Sequence, residues 1–183
     1  MVLFINCCPR SNSRTIWLAE KLLSKLGKYE EVDLESENLI PLNRERLNYR
    51  TELITKNDYS DPIFNYAKQF SMADTIVIAA PYWDLSFPSA LKIYIENIYV
   101  TGIVSRYNED GKPEGMCKAK NLYYVTTAGG HYDERFSFEY IKEMAENYFG
   151  IEKAVLIKAE MLDIIGNDPE KILEECIRFY HLD

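Results

Sequence analysis

Soft metal ligands are scarce in this chain, whose 183 residues carry four cysteines and two histidines. Cys7, Cys8, Cys117 and Cys176 show neither the spacing of a disulfide framework nor the paired C-x-x-C of a zinc or redox site. A structural zinc or an iron–sulfur cluster is therefore not expected. No apolar run approaches the ~20 residues that a membrane span needs. The opening run, residues 1–5, is too short for a signal peptide and has no basic leader. These absences predict a cytoplasmic protein with no membrane partner. Positive charge is also in short supply, with 21 Lys and Arg against 29 Asp and Glu for a net charge of −8. Basic residues never gather beyond Arg44-Glu45-Arg46, which argues against a nucleic-acid partner. Among only eight glycines, none forms GxGxxG, GxxxxGKS or GxxxxGKT. Neither a dinucleotide turn nor a nucleoside-triphosphate loop is supported.

What is present is ordinary for a globular protein: 47% hydrophobic and 27% charged residues, without repeats or low-complexity tracts. One domain spanning 1–183 is expected. Apolar runs predict strands at 2–6, 29–34, 75–80, 122–127 and 153–159. Helical spacing predicts a helix over 13–25, where Ile16, Ala19, Leu22 and Leu23 share a face. Further helices are expected over 62–72, from Pro88 with Leu91, Ile95 and Ile98 aligned, over 138–149, and from Asp168-Pro169 to about 180. Residues 35–58 read as irregular, and 100–118 as a long excursion rich in glycine and proline. Strands that alternate with helices and lack strict period two predict an α/β three-layer sandwich around a parallel sheet. Five strands fit the flavodoxin-like order 2-1-3-4-5, which places ligands at the carboxyl ends of the strands.

Three of those ends carry unusual loops. After the first strand, Ser11, Asn12 and Ser13 enter a helix N-terminus, where backbone N–H groups and side-chain donors make a phosphate cradle. The same residues also read as a plain helix cap. After the third comes Pro81-Tyr82-Trp83-Asp84-Leu85-Ser86-Phe87-Pro88, a stiff aromatic loop able to wall a flat ligand or to plug the core. After the fourth comes Thr127-Ala128-Gly129-Gly130-His131-Tyr132. Paired glycines let the backbone approach a ligand, and His131 and Tyr132 are candidate hydrogen-bond donors to a reacting oxygen. A phosphate cradle, an aromatic wall and close amides in one crevice describe a mononucleotide with a flat ring, flavin mononucleotide (FMN).

The segment Cys8-Pro9-Arg10-Ser11-Asn12-Ser13 resembles the Ser-Pro-Arg-x-x-Ser motif of the flavodoxin-like NAD(P)H quinone reductases and FMN-dependent azoreductases. The run from Pro81 to Lys92 is similar to that family's Pro-x-Tyr/Trp-x-x-x-x-Pro-x-x-Leu-Lys segment, and 126–130 to its Thr-Thr-x-Gly-Gly loop. The resemblance implies an FMN-containing homodimer that takes hydride from NADH or NADPH and passes it, by a ping-pong cycle, to a quinone, azo dye or similar small aromatic acceptor. It implies that Cys8, Ser11, Asn12 and Ser13 hold the phosphate. Pro81, Tyr82, Trp83, Asp84 and Leu85 would line the isoalloxazine, and Thr127, Ala128, Gly129 and Gly130 would approach its pyrimidine end. The loop 102–116, with Tyr107, would close over the partner subunit's pocket. Cys8 departs from the family's usual Ser and is a weaker donor; Asp84 stands where azoreductases often have Asn, and Ala128 where some have Arg. Two rivals share parts of this pattern: a flavodoxin-type electron carrier, and a redox sensor in which Cys7 and Cys8 have lowered thiol pKa values at a helix N-terminus.

Overall fold

The computed structural model describes residues 1–182. Its central strand, β1 (Val2–Asn6), is buried over residues 3–6 and pairs in parallel with β2 (Tyr29–Asp33) on one side and β3 (Thr75–Ala79) on the other. β6 (Asn121–Thr127) adds to β3, and β7 (Lys153–Ala159) to β6. The resulting order, β2-β1-β3-β6-β7, is the expected 2-1-3-4-5 counted over the five strands of the sheet. Register sets Asn6 level with Ala79, and Ala79 level with Val125, so the loops that follow leave from one edge.

Alternation along β1 divides the core into two layers. Leu3 and Ile5 point toward α3 (Asn65–Met72), α4 (Ser89–Ile98) and α5 (Phe138–Glu143), where Phe70, Leu91, Ile95 and Ile141 pack. Phe4 points the other way, against Leu18, Leu22 and Leu23 of α1 (Arg14–Leu26) and Leu173 and Ile177 of α6 (Pro169–Phe179). A strand covered on both faces needs apolar residues at every position, which is why these strands read as continuous runs.

The structure departs from the sequence reading in three places. Residues 35–58 are not wholly irregular: α2 (Arg44–Thr55) lies within them, capped by Asn43, whose side chain accepts from the Arg46 N–H. α2 buries no residue, so it has no apolar stripe for periodicity to detect. It is anchored by polar bonds, from Arg50 Nη1 to the Glu96 carbonyl (2.9 Å) and from the Tyr49 hydroxyl to Asp61 (2.6 Å). The excursion at 100–118 contains an antiparallel hairpin of β4 (Ser105–Tyr107) and β5 (Pro113–Gly115). The helix expected over 138–149 is α-helical only through Glu143; Met144–Phe149 is a π-helical turn ended by Gly150 in the left-handed region (φ 76°). Gly115 at the end of β5 lies against that turn, where a Cβ would overlap the backbone of Phe149 and Gly150. Among the described residues, no helix is long and apolar enough to cross a membrane.

Candidate functional site

α1 begins at Ser13, whose hydroxyl oxygen accepts from the backbone N–H groups of Thr15 (3.2 Å) and Ile16 (3.4 Å). The buried Thr15 hydroxyl meets the hydroxyl of Thr127 at 2.7 Å, joining this helix start to the end of β6. The Tyr82 N–H donates to the Thr127 carbonyl at 3.1 Å, which brings in the loop after β3. These bonds bound a cavity of about 480 Å³. Arg10, Asn12, Ser13, Arg14 and Thr15 line one side, Pro81, Tyr82 and Trp83 another, and Thr127, Ala128 and Gly129 a third. The three loops singled out in the sequence thus share one crevice.

The aromatic wall is held by a tight turn. Trp83 and Ser86 exchange backbone hydrogen bonds of 2.9 and 2.8 Å, with Asp84 (φ 48°) and Leu85 (φ 68°) both in the left-handed region between them. That geometry ordinarily calls for Asn or Gly, so a leucine there is strained. The Ser86 hydroxyl ties the turn to the carbonyl of Phe136 at 2.6 Å. Trp83 stays 40% exposed, with the Arg10 guanidinium 5.9 Å from its ring centroid. Two arginines, a hydroxyl cap, a helix N-terminus and a flat aromatic wall fit a phosphate monoester attached to a planar ring.

The other predicted residues fall in different places. Cys8 is buried, and its thiol turns toward the sheet, donating to the Ala79 carbonyl at 3.6 Å. Ser11 faces a neighbouring groove between α1 and α6, which Asn12 and Ser13 also line. Asp84 and Leu85 form the exposed tip of the turn. Gly130 directs its carbonyl to the Met161 N–H at 2.9 Å and does not line the crevice. Leu85, His131 and Tyr132 line a second cavity of about 570 Å³, and Tyr82 lines both. His131 is exposed, 3.8 Å from Glu160. Burial works to raise the Glu160 carboxyl, but the Tyr132 N–H, the Lys158 ammonium and His131 outweigh it and hold it below the usual carboxylate range. The Tyr132 ring is buried and its hydroxyl accepts from Ser137 at 2.8 Å, while burial pushes the phenol up to about 12. That phenol is held as the neutral acid.

Sequence reasoning gave no site role to Arg10, Arg14, Thr15 and Asp163, all of which line the cavity. Arg10 lies within the loop already singled out, and Arg14 and Thr15 occupy the opening turn of α1, where the N-cap pattern already pointed. Asp163 follows β7, a strand end not considered, although a parallel sheet delivers it to the same edge. Its N–H donates to the Gly129 carbonyl (2.9 Å), its carboxylate pairs with Arg14 Nη1 (2.7 Å), and a Cβ on Gly129 would overlap that carboxylate.

The cysteines behave unlike sensor thiols. Burial pushes Cys7 up to about 12 and Cys8 to about 11, the Cys8 thiol being offset only in part by Ser13. Cys117 and Cys176 are likewise raised by burial, to about 12 and about 11. The lowered thiol pKa of the redox-sensor reading is therefore overturned, because desolvation outweighs the helix N-terminus. Raised values keep the protonated, unreactive form in place well above neutral pH. Ellman's reagent at pH 8 is expected to label less than about half a thiol per native chain in minutes, because roughly one thiol in a thousand is ionised. All four should react in guanidinium. Rapid labelling of one native thiol would contradict the assigned burial.

The family model described as "Flavodoxin-like fold" matches residues 1–181. The chain belongs to this flavodoxin-like family. Among its relatives, the FMN-dependent NADH:quinone oxidoreductase of Coprothermobacter proteolyticus is 35% identical, over 97% of this chain and 94% of its own length. A protein named FMN-dependent NADH:quinone oxidoreductase 2, from Clostridium acetobutylicum, is also 35% identical, over 96% and 94%. The solved azoreductase of Bacillus anthracis superposes with a TM-score of 0.84 at 22% identity, covering 97% of this chain and 95% of that one. This likeness establishes the flavodoxin-like fold, and in that fold the edge where the crevice lies is the ligand-binding edge.

Proposed function

We propose that the protein is an FMN-dependent oxidoreductase that moves hydride from NADH to a quinone by a ping-pong cycle. The observation that carries the proposal is the single crevice in which a helix N-terminus capped by the Ser13 hydroxyl, an aromatic turn and the close backbone of Thr127–Gly129 face one another. Relatives that share about a third of its residues over nearly their whole length carry the name FMN-dependent NADH:quinone oxidoreductase. FMN bound in the crevice supplies two-electron hydride chemistry that no amino-acid side chain offers.

The chain's own residues bind, orient and shield. Ser13 and the N-terminal turn of α1 hold the phosphate, and Arg10 and Arg14 balance its charge. Tyr82 and Trp83 orient the ring and exclude water from one side of it. The second cavity, adjoining the first at Tyr82, receives the nicotinamide and then the acceptor, and His131 in its lining is the side chain that would hydrogen-bond the acceptor's oxygen. We assign the working unit as a homodimer in the cytoplasm, with Trp83 and Phe87 beside the interface and Tyr107 of the hairpin near the partner's crevice. NADPH and azo dyes are further substrates to be tested on the same cavity.

Anaerobic titration of FMN-reconstituted protein with NADH, and separately with NADPH, tests the reading. Complete bleaching of the flavin band by one equivalent of NADH, followed by recolouring with one equivalent of a benzoquinone, is expected. FMN that binds but is reduced by neither nicotinamide would make the protein an electron carrier instead.

A further inference from the structure

Asp163 is out of keeping with the rest of the crevice. The other polar groups there suit an anion, yet its carboxylate lines the same wall and takes Arg14 Nη1 at 2.7 Å. Structure alone gives the pair little reason to exist: the side chains are 43% and 67% exposed, where an ion pair contributes little to stability. Its place is specific nonetheless. The Asp163 N–H is fixed to the Gly129 carbonyl, and Gly129 is free of the Cβ that would push the carboxylate away.

We infer that Asp163 competes with the bound phosphate for Arg14, and thereby sets how tightly the phosphate-bearing ligand is held. The inference rests on the FMN reading. Arg14 carries one positive charge, only its Nη1 is taken by Asp163, and a phosphate at the start of α1 is the stronger partner for that charge, being a dianion also held by Ser13 and the helix N-terminus. The displaced carboxylate remains in the wall and opposes the incoming charge. The net effect is a cofactor held less tightly than the same crevice would hold it without Asp163. Asn at 163 would keep an acceptor for Arg14 and the same shape while removing the opposing charge, so orientation and repulsion can be separated.

The experiment measures dissociation constants of FMN and riboflavin by flavin fluorescence quenching for wild-type protein, Asp163→Asn and Arg14→Gln. Melting temperatures confirm that each variant folds. Riboflavin has the ring and ribityl chain without the phosphate, so it reports everything except the competition. Asp163→Asn is expected to bind FMN about fivefold tighter, with riboflavin unchanged, and the gain should shrink as salt rises. Arg14→Gln is expected to bind FMN about tenfold more weakly, again with riboflavin unchanged. Weaker FMN binding by Asp163→Asn would overturn the inference and make Asp163 a support for Arg14. Equal changes for FMN and riboflavin would also overturn it, placing Asp163 on the ring or ribityl end. Wild-type protein that binds neither flavin would instead overturn the proposed function beneath the inference.

Discussion

Gly115→Ala is expected to lower the melting temperature by about 6–12 °C, a destabilisation of about 3 kcal/mol in a chain of this size. The added methyl would not meet a side chain that can turn aside. It would land on the backbone of Phe149 and Gly150, within the turn that closes α5. Relief requires the hairpin to separate from that turn, which would stretch the bond from the Cys117 N–H to the Phe149 carbonyl (3.1 Å). It would also disturb the edge contact of Phe149 with Phe70, whose ring centroids lie 5.1 Å apart. Gly111→Ala is the matched control within the same hairpin: nothing lies within 4 Å of its added Cβ, and only the left-handed φ of 74° opposes it. That strain is worth about 1 kcal/mol, so thermal melts of the two variants should differ clearly. Equal melting temperatures would mean that the hairpin is not seated on α5 as described.

Ser13→Ala is expected to weaken FMN binding by about 10- to 100-fold, the range given by losing one hydrogen bond to a charged group. A serine hydroxyl has two acceptor sites and one proton. Here both acceptor sites are taken by the N–H groups of Thr15 and Ile16, and the one proton, which otherwise turns to the Cys8 sulfur, is the group Ser13 can give to an anion in the crevice. The alanine variant loses the cap and the donor together, with about 1 kcal/mol of stability from the cap. Ser13→Thr keeps both and should retain affinity within a few-fold. Fluorescence titration with FMN checks the series. Full affinity in Ser13→Ala would move the phosphate away from α1.

The sheet was legible because its chemistry is repetitive. Leu3, Phe4 and Ile5 have to be apolar in succession when helices cover both faces, and that pattern survives in the sequence without any knowledge of partners. α2 was illegible for the opposite reason. Its sequence, Arg44 to Thr55, has no apolar face, and its anchors are single polar bonds to Glu96 and Asp61 that only the folded chain brings near. In the crevice, loop identity could be read but side-chain direction could not. Cys8 sits in the expected loop, yet it continues the alternation begun in β1 and packs in the same core layer as Phe4. Asp163 escaped notice because no motif marks it. What makes it relevant is the register of β7 beside β6 and a contact with Arg14 across 149 residues of chain.

The burial of the thiols bears on how long such a protein survives its own chemistry. Reduced flavins give electrons to dioxygen, and the product is hydrogen peroxide. Peroxide attacks the thiolate and hardly touches the thiol, and the damage accumulates beyond the first oxidation step. Cys8 stands in the loop that leads to Ser13 and would be open to that damage if it ionised. With burial holding Cys7 near 12 and Cys8 near 11, the thiolate is almost absent at neutral pH. The same desolvation that removes these cysteines from consideration as sensors therefore makes them resistant to the oxidant that such chemistry forms.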